Sequence, residues 1–217
     1  MSNSHAGDRV LTITSTEGID SAVGHDLADR LGQFMEVSEP QTYERKAADP
    51  QIQQFIQLIG SIETWQALKY AAYAIVAVAG TRLTQHITDD LWTAIKARLK
   101  GKDTQPIAIS AAALSEAAHV MPDRSCLYIG IDVPEPNFGT VLEITGRRPE
   151  EIAVQLATFV LSADEIHAEV AEAVAKGDGP LGRGTITLTA EGEIQVRWMA
   201  ESDFKWRMVV IRRRTAA

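Results

Sequence analysis

Short stretches in which apolar and polar residues alternate indicate where this chain forms strands. Val10–Thr14 alternates in this way and is rich in β-branched residues, which favour an extended backbone. Further strands are predicted at 106–110, 126–133 and 140–145. Most of the predicted strands therefore lie in the second half of the chain.

Apolar residues that recur every three or four positions predict helices. The helices predicted in this way are 19–34, 52–59, 62–82, 91–99, 111–119 and a pair between 149 and 177. Ser162 with Glu165 three residues later forms a capping-box pattern, so the second helix of the pair is predicted to begin at Ala163. Helices therefore dominate the first hundred residues.

The last part of the chain has the pattern of a β-meander, and its register follows from burial. A two-residue turn at Glu191-Gly192 would divide the apolar residues between both faces of the hairpin. A three-residue loop instead pairs Leu188 with Ile194 and Ile186 with Val196. Because one face must be buried, we predict the three-residue loop.

In the final strand the alternation assigns apolar and basic residues to opposite faces. The residues assigned to the buried face are Phe204, Trp206, Met208 and Val210. Arg197, Lys205 and Arg207 are assigned to the outer face, beside the threonines of the preceding strands. The sequence thus predicts a basic stripe on the outside of this sheet.

These elements predict an α+β protein with two units that meet near Gly101–Thr104. Residues 1–103 are expected to form a mainly helical unit with a short N-terminal strand and a central apolar helix. Residues 104–217 are expected to form an antiparallel sheet, with the meander at its C-terminal end, packed against a helix pair.

The predicted helix 62–82 is apolar on nearly all sides and is the first unusual feature of the sequence. Such a helix is buried on every side, or it meets a partner or a membrane. Its charge-free stretch, Tyr70 to Thr81, is 12 residues long; a spanning helix needs about 20 apolar residues. Core helix, oligomerisation surface and bilayer insertion after a conformational change all remain open. The candidate contact residues are Trp65, Tyr70, Tyr73 and Val76.

The charge distribution is the second unusual feature. The net charge is −8 over 217 residues, and such a chain lacks the basic footprint that general nucleic-acid binding requires. From Arg197 to Ala217, however, six basic residues outweigh two acidic ones, a net charge of +4, which leaves −12 on the rest. The basic stripe of Arg197, Lys205 and Arg207 either solvates an edge strand or binds an acidic partner or anionic ligand.

Candidate chemistry is sparse. If residues 134–139 form a turn, Asp132 lies diagonally across from Glu143 at roughly 7 Å, close enough for acid–base work. No nucleophile motif accompanies the two acids, and strand acids ordinarily face solvent. The five histidines and the single cysteine, Cys126, show no ligand spacing for a metal. We therefore predict no catalytic residue, no metal and no cofactor.

Together these features predict a non-enzymatic interaction, assembly or regulatory subunit that is oligomeric and cytoplasmic, of bacterial type. Its expected partner is a second copy or another protein, and the sequence leaves a small-molecule ligand open. One alternative is a membrane-acting effector that inserts or docks the helix 62–82. A second alternative is a hydrolase-like enzyme that uses Asp132 and Glu143.

Overall fold

A computed structural model describes residues 10–43, 54–79, 89–132, 139–182, 184–189 and 193–211. The strands are β1 Val10–Thr16, β2 Glu36–Val37, β3 Gln41–Tyr43, β4 Phe55–Gly60, β5 Cys126–Asp132, β6 Gly139–Glu143, β7 Gly184–Leu188, β8 Ile194–Met199 and β9 Trp206–Ile211. The helices are α1 Ser21–Leu31, α2 Ile62–Gln66, α3 Lys69–Ala79, α4 Asp89–Leu99, α5 Gln105–Val120 and α6 Pro149–Ala175.

The described strands form one nine-stranded mixed sheet in the order β2-β1-β4-β5-β6-β7-β8-β9, with β3 also paired to β1. The pairs β1–β2, β1–β3, β4–β5 and β6–β7 are parallel, and the other pairs are antiparallel. Each parallel pair is joined through one or more helices, as parallel pairing requires. The fold is therefore mixed α/β.

The predicted fold class, a helical N-terminal unit followed by a separate antiparallel sheet packed on a helix pair, is wrong. β1 and β4 lie within the supposed helical unit, and β4 pairs with β5 along its whole length. The C-terminal strands are one end of the same mixed sheet and not a sheet of their own. The structure does not test a division at 103/104, which stays a prediction.

Two elements have the opposite type from the one predicted. Residues 52–59 were expected to be helical, but Phe55–Gly60 is the interior strand β4, with apolar side chains on both faces. A short apolar run of this kind fits both the two-residue period of a strand and the 3.6-residue period of a helix. Residues 106–110 were expected to be a strand, but they begin α5, where Pro106 occupies the first turn and Ser110 Oγ donates to its carbonyl oxygen at 2.8 Å.

The predicted helix pair between 149 and 177 is a single helix, α6, of 27 residues. Ser162 does not cap a second helix, because its hydroxyl donates to the carbonyl oxygen of Thr158 at 2.9 Å within the same helix. α6 packs against both α3 and α5. The helix at the centre of the protein is therefore α6 and not the predicted helix 62–82.

The strands turn one face toward the helices, and the hydrophobic core lies between. In the strand register, one row of side chains crosses seven strands of the sheet. This row consists of Ile13, Leu58, Ile129, Leu142, Ile186, Val196 and Val209. All seven belong to or pack against the core cluster that contains the α6 residues Phe159 and Ile166. We call the opposite side the outer face.

The predicted register of the last hairpins is confirmed for β7 and β8 only. Leu188 pairs with Ile194 and Ile186 with Val196; the turn 190–192 lies outside the described residues. In β9 the predicted faces are reversed.

The structure exposes Phe204, Trp206, Met208 and Val210, whereas Ile211 is buried and Val209 packs against the core. The run Met208–Ile211 is apolar at every position, so alternation alone does not assign its faces. The pairing of β9 with β8 places Arg207 opposite the buried Trp198. This pairing decides which residues of β9 face the core.

Candidate functional site

The β9 surface, defined here as Arg197, Trp206, Met208 and Val210, is an exposed apolar area on the outer face. Trp206 is 54% exposed, Met208 59% and Val210 37%. Arg197 is opposite Met208 and diagonal to Trp206, and its guanidinium carbon lies 4.3 Å from the centre of the Trp206 ring. Three exposed apolar side chains in one row, beside a cation, are more typical of a contact surface than of a solvated strand.

The two edges of the sheet differ. On the β1 side, the edge is divided into strands of two and three residues, and the strand residues are Glu36, Val37, Gln41, Thr42 and Tyr43. On the other side, β9 is a continuous strand of six residues, and no described strand pairs with its outer edge. Proteins commonly shorten or charge their edges against unwanted pairing. The edge on the β1 side is protected by its short strands. β9 is longer, and its outward side chains are apolar and uncharged.

Arg207 anchors β9 to the loop that follows α6. Its guanidinium donates to both carboxylate oxygens of Asp178 at 2.9 Å and lies 3.2 Å from Asp203. Ser202 Oγ donates to the same carboxylate of Asp178 at 2.6 Å, and Trp198 Nε1 donates to the Asp178 carbonyl oxygen at 2.9 Å. This network fixes the faces of β9, because it holds Arg207 on the helix side.

The network predicts a loss of stability in acid. The hydrogen bond from Arg207 lowers the pKa of Asp178 below its ordinary value of 3.8. The network's contribution is therefore complete above pH 3.8 and is lost as the pH falls through the lower pKa of the native state. We expect Asp178→Asn to lower the melting temperature at pH 7, with the difference from the parent chain shrinking below pH 3.8. A difference that stays constant down to pH 2 would contradict this assignment.

The predicted basic stripe is thus only partly present as a free surface. Arg197 is exposed and stacks on Trp206. Lys205 is exposed in the loop before β9, with its Nζ 3.5 Å from Asp203. Arg207 points toward the helix side and is engaged by Asp178 and Asp203, so it is not a contact residue of the outer face.

The four candidate contact residues of the predicted helix 62–82 have different environments. Trp65 is 2% exposed, Val76 is half-buried, and Tyr70 and Tyr73 are 75% and 59% exposed. The predicted helix is divided in two at 67–68, and its residues 80–82 lie outside the described residues. No helix in the described part of the chain is long and apolar enough to cross a membrane.

The proposed acid pair does not form. The strands pair Tyr128 with Glu143 and Asp132 with Gly139, so the two acids are four residues apart along the sheet. That separation corresponds to about 13 Å, too far for paired acid–base work. The predicted pairing of Val133 with Thr140 is wrong, because Thr140 pairs with Ile131, a shift of two residues along β5.

Glu143 has another neighbour that the sequence does not reveal. Cys126 Sγ donates to Glu143 Oε1 at 3.1 Å on the outer face, and the ring of Tyr128 makes an edge contact with Phe55 at 6.2 Å. Burial raises the pKa of the Cys126 thiol, and the Glu143 carboxylate adds to the shift. A nucleophilic cysteine needs the opposite shift, toward the thiolate.

We therefore expect Cys126 to react slowly in the native protein. Alkylation by iodoacetamide at pH 8 should be several-fold slower in buffer than in denaturant, because the side chain is 7% exposed and held as a thiol. In Glu143→Gln the native rate should rise yet stay below the rate of the unfolded chain. Equal rates in buffer and denaturant would show that the thiol is accessible and activated.

The described residues contain no group of three or more histidine, cysteine, aspartate or glutamate side chains that could hold a metal ion. Searches among known protein families, characterised protein sequences and solved structures found no match to this chain. The β9 surface is therefore the candidate site on physical grounds alone. The sequence pattern groups Trp206, Met208 and Val210 in one row but assigns that row to the buried face, because the run Met208–Ile211 fits both faces.

Proposed function

We propose that this chain is a non-enzymatic interaction subunit, with an accessory, regulatory or assembly role, that acts through protein–protein contacts. The observation that carries the proposal is the β9 surface, where Trp206, Met208 and Val210 are exposed in one row on an edge strand. Aromatic, methionine and arginine side chains are the types enriched where proteins meet. We place the chain in the cytoplasm, where a free thiol such as Cys126 remains reduced.

Self-association through the N-terminal helices is part of the same proposal. It now rests on Tyr70 and Tyr73 of α3, which lie three residues apart on one side of the helix and are largely exposed. Trp65 does not contribute, since it is buried. The α3 surface belongs to the helical layer, whereas the β9 surface lies on the outer face, so one chain presents both.

Site-specific photo-cross-linking tests both contacts. Benzoylphenylalanine is introduced in place of Met208, Tyr73 or Val120 in the full chain, expressed in its native cells. Val120 is the control, because it is 66% exposed at the end of α5, away from both surfaces. We expect a discrete adduct with another protein from position 208, a dimer of the chain from position 73, and neither from position 120. A pattern from position 208 that equals the control would refute the interaction role of β9.

A further inference from the structure

We propose that the partner of the β9 surface is an extended, acidic segment of another protein, which adds a strand to the edge of β9 that no described strand occupies. This inference rests on the proposed function and names the chemistry of the partner. It follows from the backbone of β9, from the side chains on its outer face and from the charges around it.

The backbone of β9 offers the hydrogen bonds. In an antiparallel pair, alternate residues direct their N–H and C=O groups toward the neighbouring strand, and the remaining residues direct theirs away from it. β9 is bonded to β8 over six residue pairs, Ile194–Met199 with Trp206–Ile211, and contains no proline or glycine. The groups directed away from β8 therefore form an unbroken row that a further strand can use, as in β-strand addition.

The side chains of β9 favour a strand with one apolar face. Trp206, Met208 and Val210 point to the outer face, and neighbouring residues of an added strand would pack beside them. On the other face, Ile211 is buried and Arg207 is already paired with Asp178. The contact with a partner is therefore made mainly on the outer face, so the partner needs apolar side chains at every second position.

The charges favour an acidic partner over a second copy of this chain. Arg197 and Lys205 are exposed next to the apolar row, and Arg212–Arg214 follow β9 directly in the sequence. A second copy would bring the same net charge of +4 over residues 197–217 to the contact. Like charges placed opposite each other destabilise strand pairing, whereas glutamates on a partner would be attracted.

Capped peptides of about eight residues, close to a normal strand length, test this inference on the full chain. In one peptide glutamates flank a core in which valine alternates with threonine, in a second lysines replace the glutamates, and a third is the glutamate peptide N-methylated at every second residue. Binding is followed by hydrogen exchange of the β9 amides and by the dissociation constant. Trp206→Ser is compared with Tyr43→Ser, a matched control with 53% exposure on the opposite edge of the sheet.

We expect the glutamate peptide to slow exchange of the β9 amides and to bind at least about tenfold more tightly than the lysine peptide at low salt, a difference that salt reduces. The N-methylated peptide should give no protection. Trp206→Ser should weaken binding of the glutamate peptide by about tenfold, as truncation of an interface aromatic typically does. Tyr43→Ser should leave the dissociation constant unchanged.

Each of the following results would overturn the inference. Equal binding of the glutamate and lysine peptides would show that the partner need not be acidic. Equal protection by the N-methylated peptide would show that the partner does not pair with β9 as a strand. Binding of oligothymidylate that is lost in Trp206→Ser, or a dimer of the chain that Trp206→Ser dissociates, would assign β9 to nucleic acid or to a second copy.

If no peptide binds while position 208 still cross-links to a protein, strand addition is refuted and the proposed function is supported. Loss of both signals refutes both.

Discussion

Trp65→Ala is expected to lower the free energy of unfolding by about 3–5 kcal/mol, the usual cost of removing a buried tryptophan side chain. Trp65 is 2% exposed and makes an edge contact with Phe159 at 5.2 Å between ring centres. Its Nε1 donates to the carbonyl oxygen of Gly130 at 2.9 Å, which ties α2 to the central strand β5. The variant therefore loses packing, a ring contact and a hydrogen bond together.

Trp65→Phe is the matched control, because it keeps an aromatic ring and removes the indole N–H. Besides the smaller packed volume, it removes the hydrogen bond from Nε1 to the Gly130 carbonyl, a loss of about 1 kcal/mol. Urea denaturation followed by circular dichroism measures both variants. If Trp65→Ala left the midpoint unchanged and altered only binding to a partner, the original prediction of Trp65 as a contact residue would be restored.

Gly130→Ala is expected to destabilise the protein by about 1–3 kcal/mol, as inserting a methyl group into a packed site typically does. A Cβ at Gly130 would lie 2.8 Å from Val141 Cγ1 and 2.9 Å from the carbonyl oxygen of Thr140. Val141 is 1% exposed, so its side chain has little space to move aside. The backbone of β6 would therefore have to shift away from β5.

The double variant Gly130→Ala/Val141→Ala separates this clash from other effects of alanine. Removing Val141 Cγ1 relieves one of the two close contacts, so the two substitutions should be non-additive by about 0.5–3 kcal/mol in the favourable direction. Gly146→Ala has a similarly close contact, 2.9 Å, but with Cβ of Glu151 outside the sheet, and serves as the comparison. Strictly additive effects at 130 and 141 would show that the two residues do not compete for space.

The sequence predicts only some features of the candidate site. The excess of positive charge after Arg197 and the apolar character of 204–211 are both evident in the amino acids. The prediction nevertheless placed Trp206 inside and Arg207 outside, because it followed the alternation from Lys205 to Val210. The hydrogen bonds from Arg207 to Asp178 join residues 29 positions apart, and no local pattern reports them.

The proposed acid pair failed for a related reason. A diagonal contact with Glu143 requires Asp132 to lie opposite Val141 or Thr145, and the structure pairs it with Gly139. The actual register places Glu143 opposite Tyr128 and within reach of the Cys126 thiol. The sequence predicts the two strands and the alternation of their side chains. Their register depends on the pairing of β5 with β6, which no local pattern determines.

By itself, the sequence determined the elements whose periodicity is strong and whose faces are clearly different. Examples are β5, β6 and α1, and the register of β7 with β8, since a shift by one residue would expose Ile186 and Val196. The tertiary structure alone decided that β4 is a strand, because its apolar residues face both sides of the sheet and satisfy a helical period equally well. It also decided which face of β9 meets solvent, because this apolar run takes its orientation from its pairing with β8 and from the long-range ion pair of Arg207, and not from its own pattern.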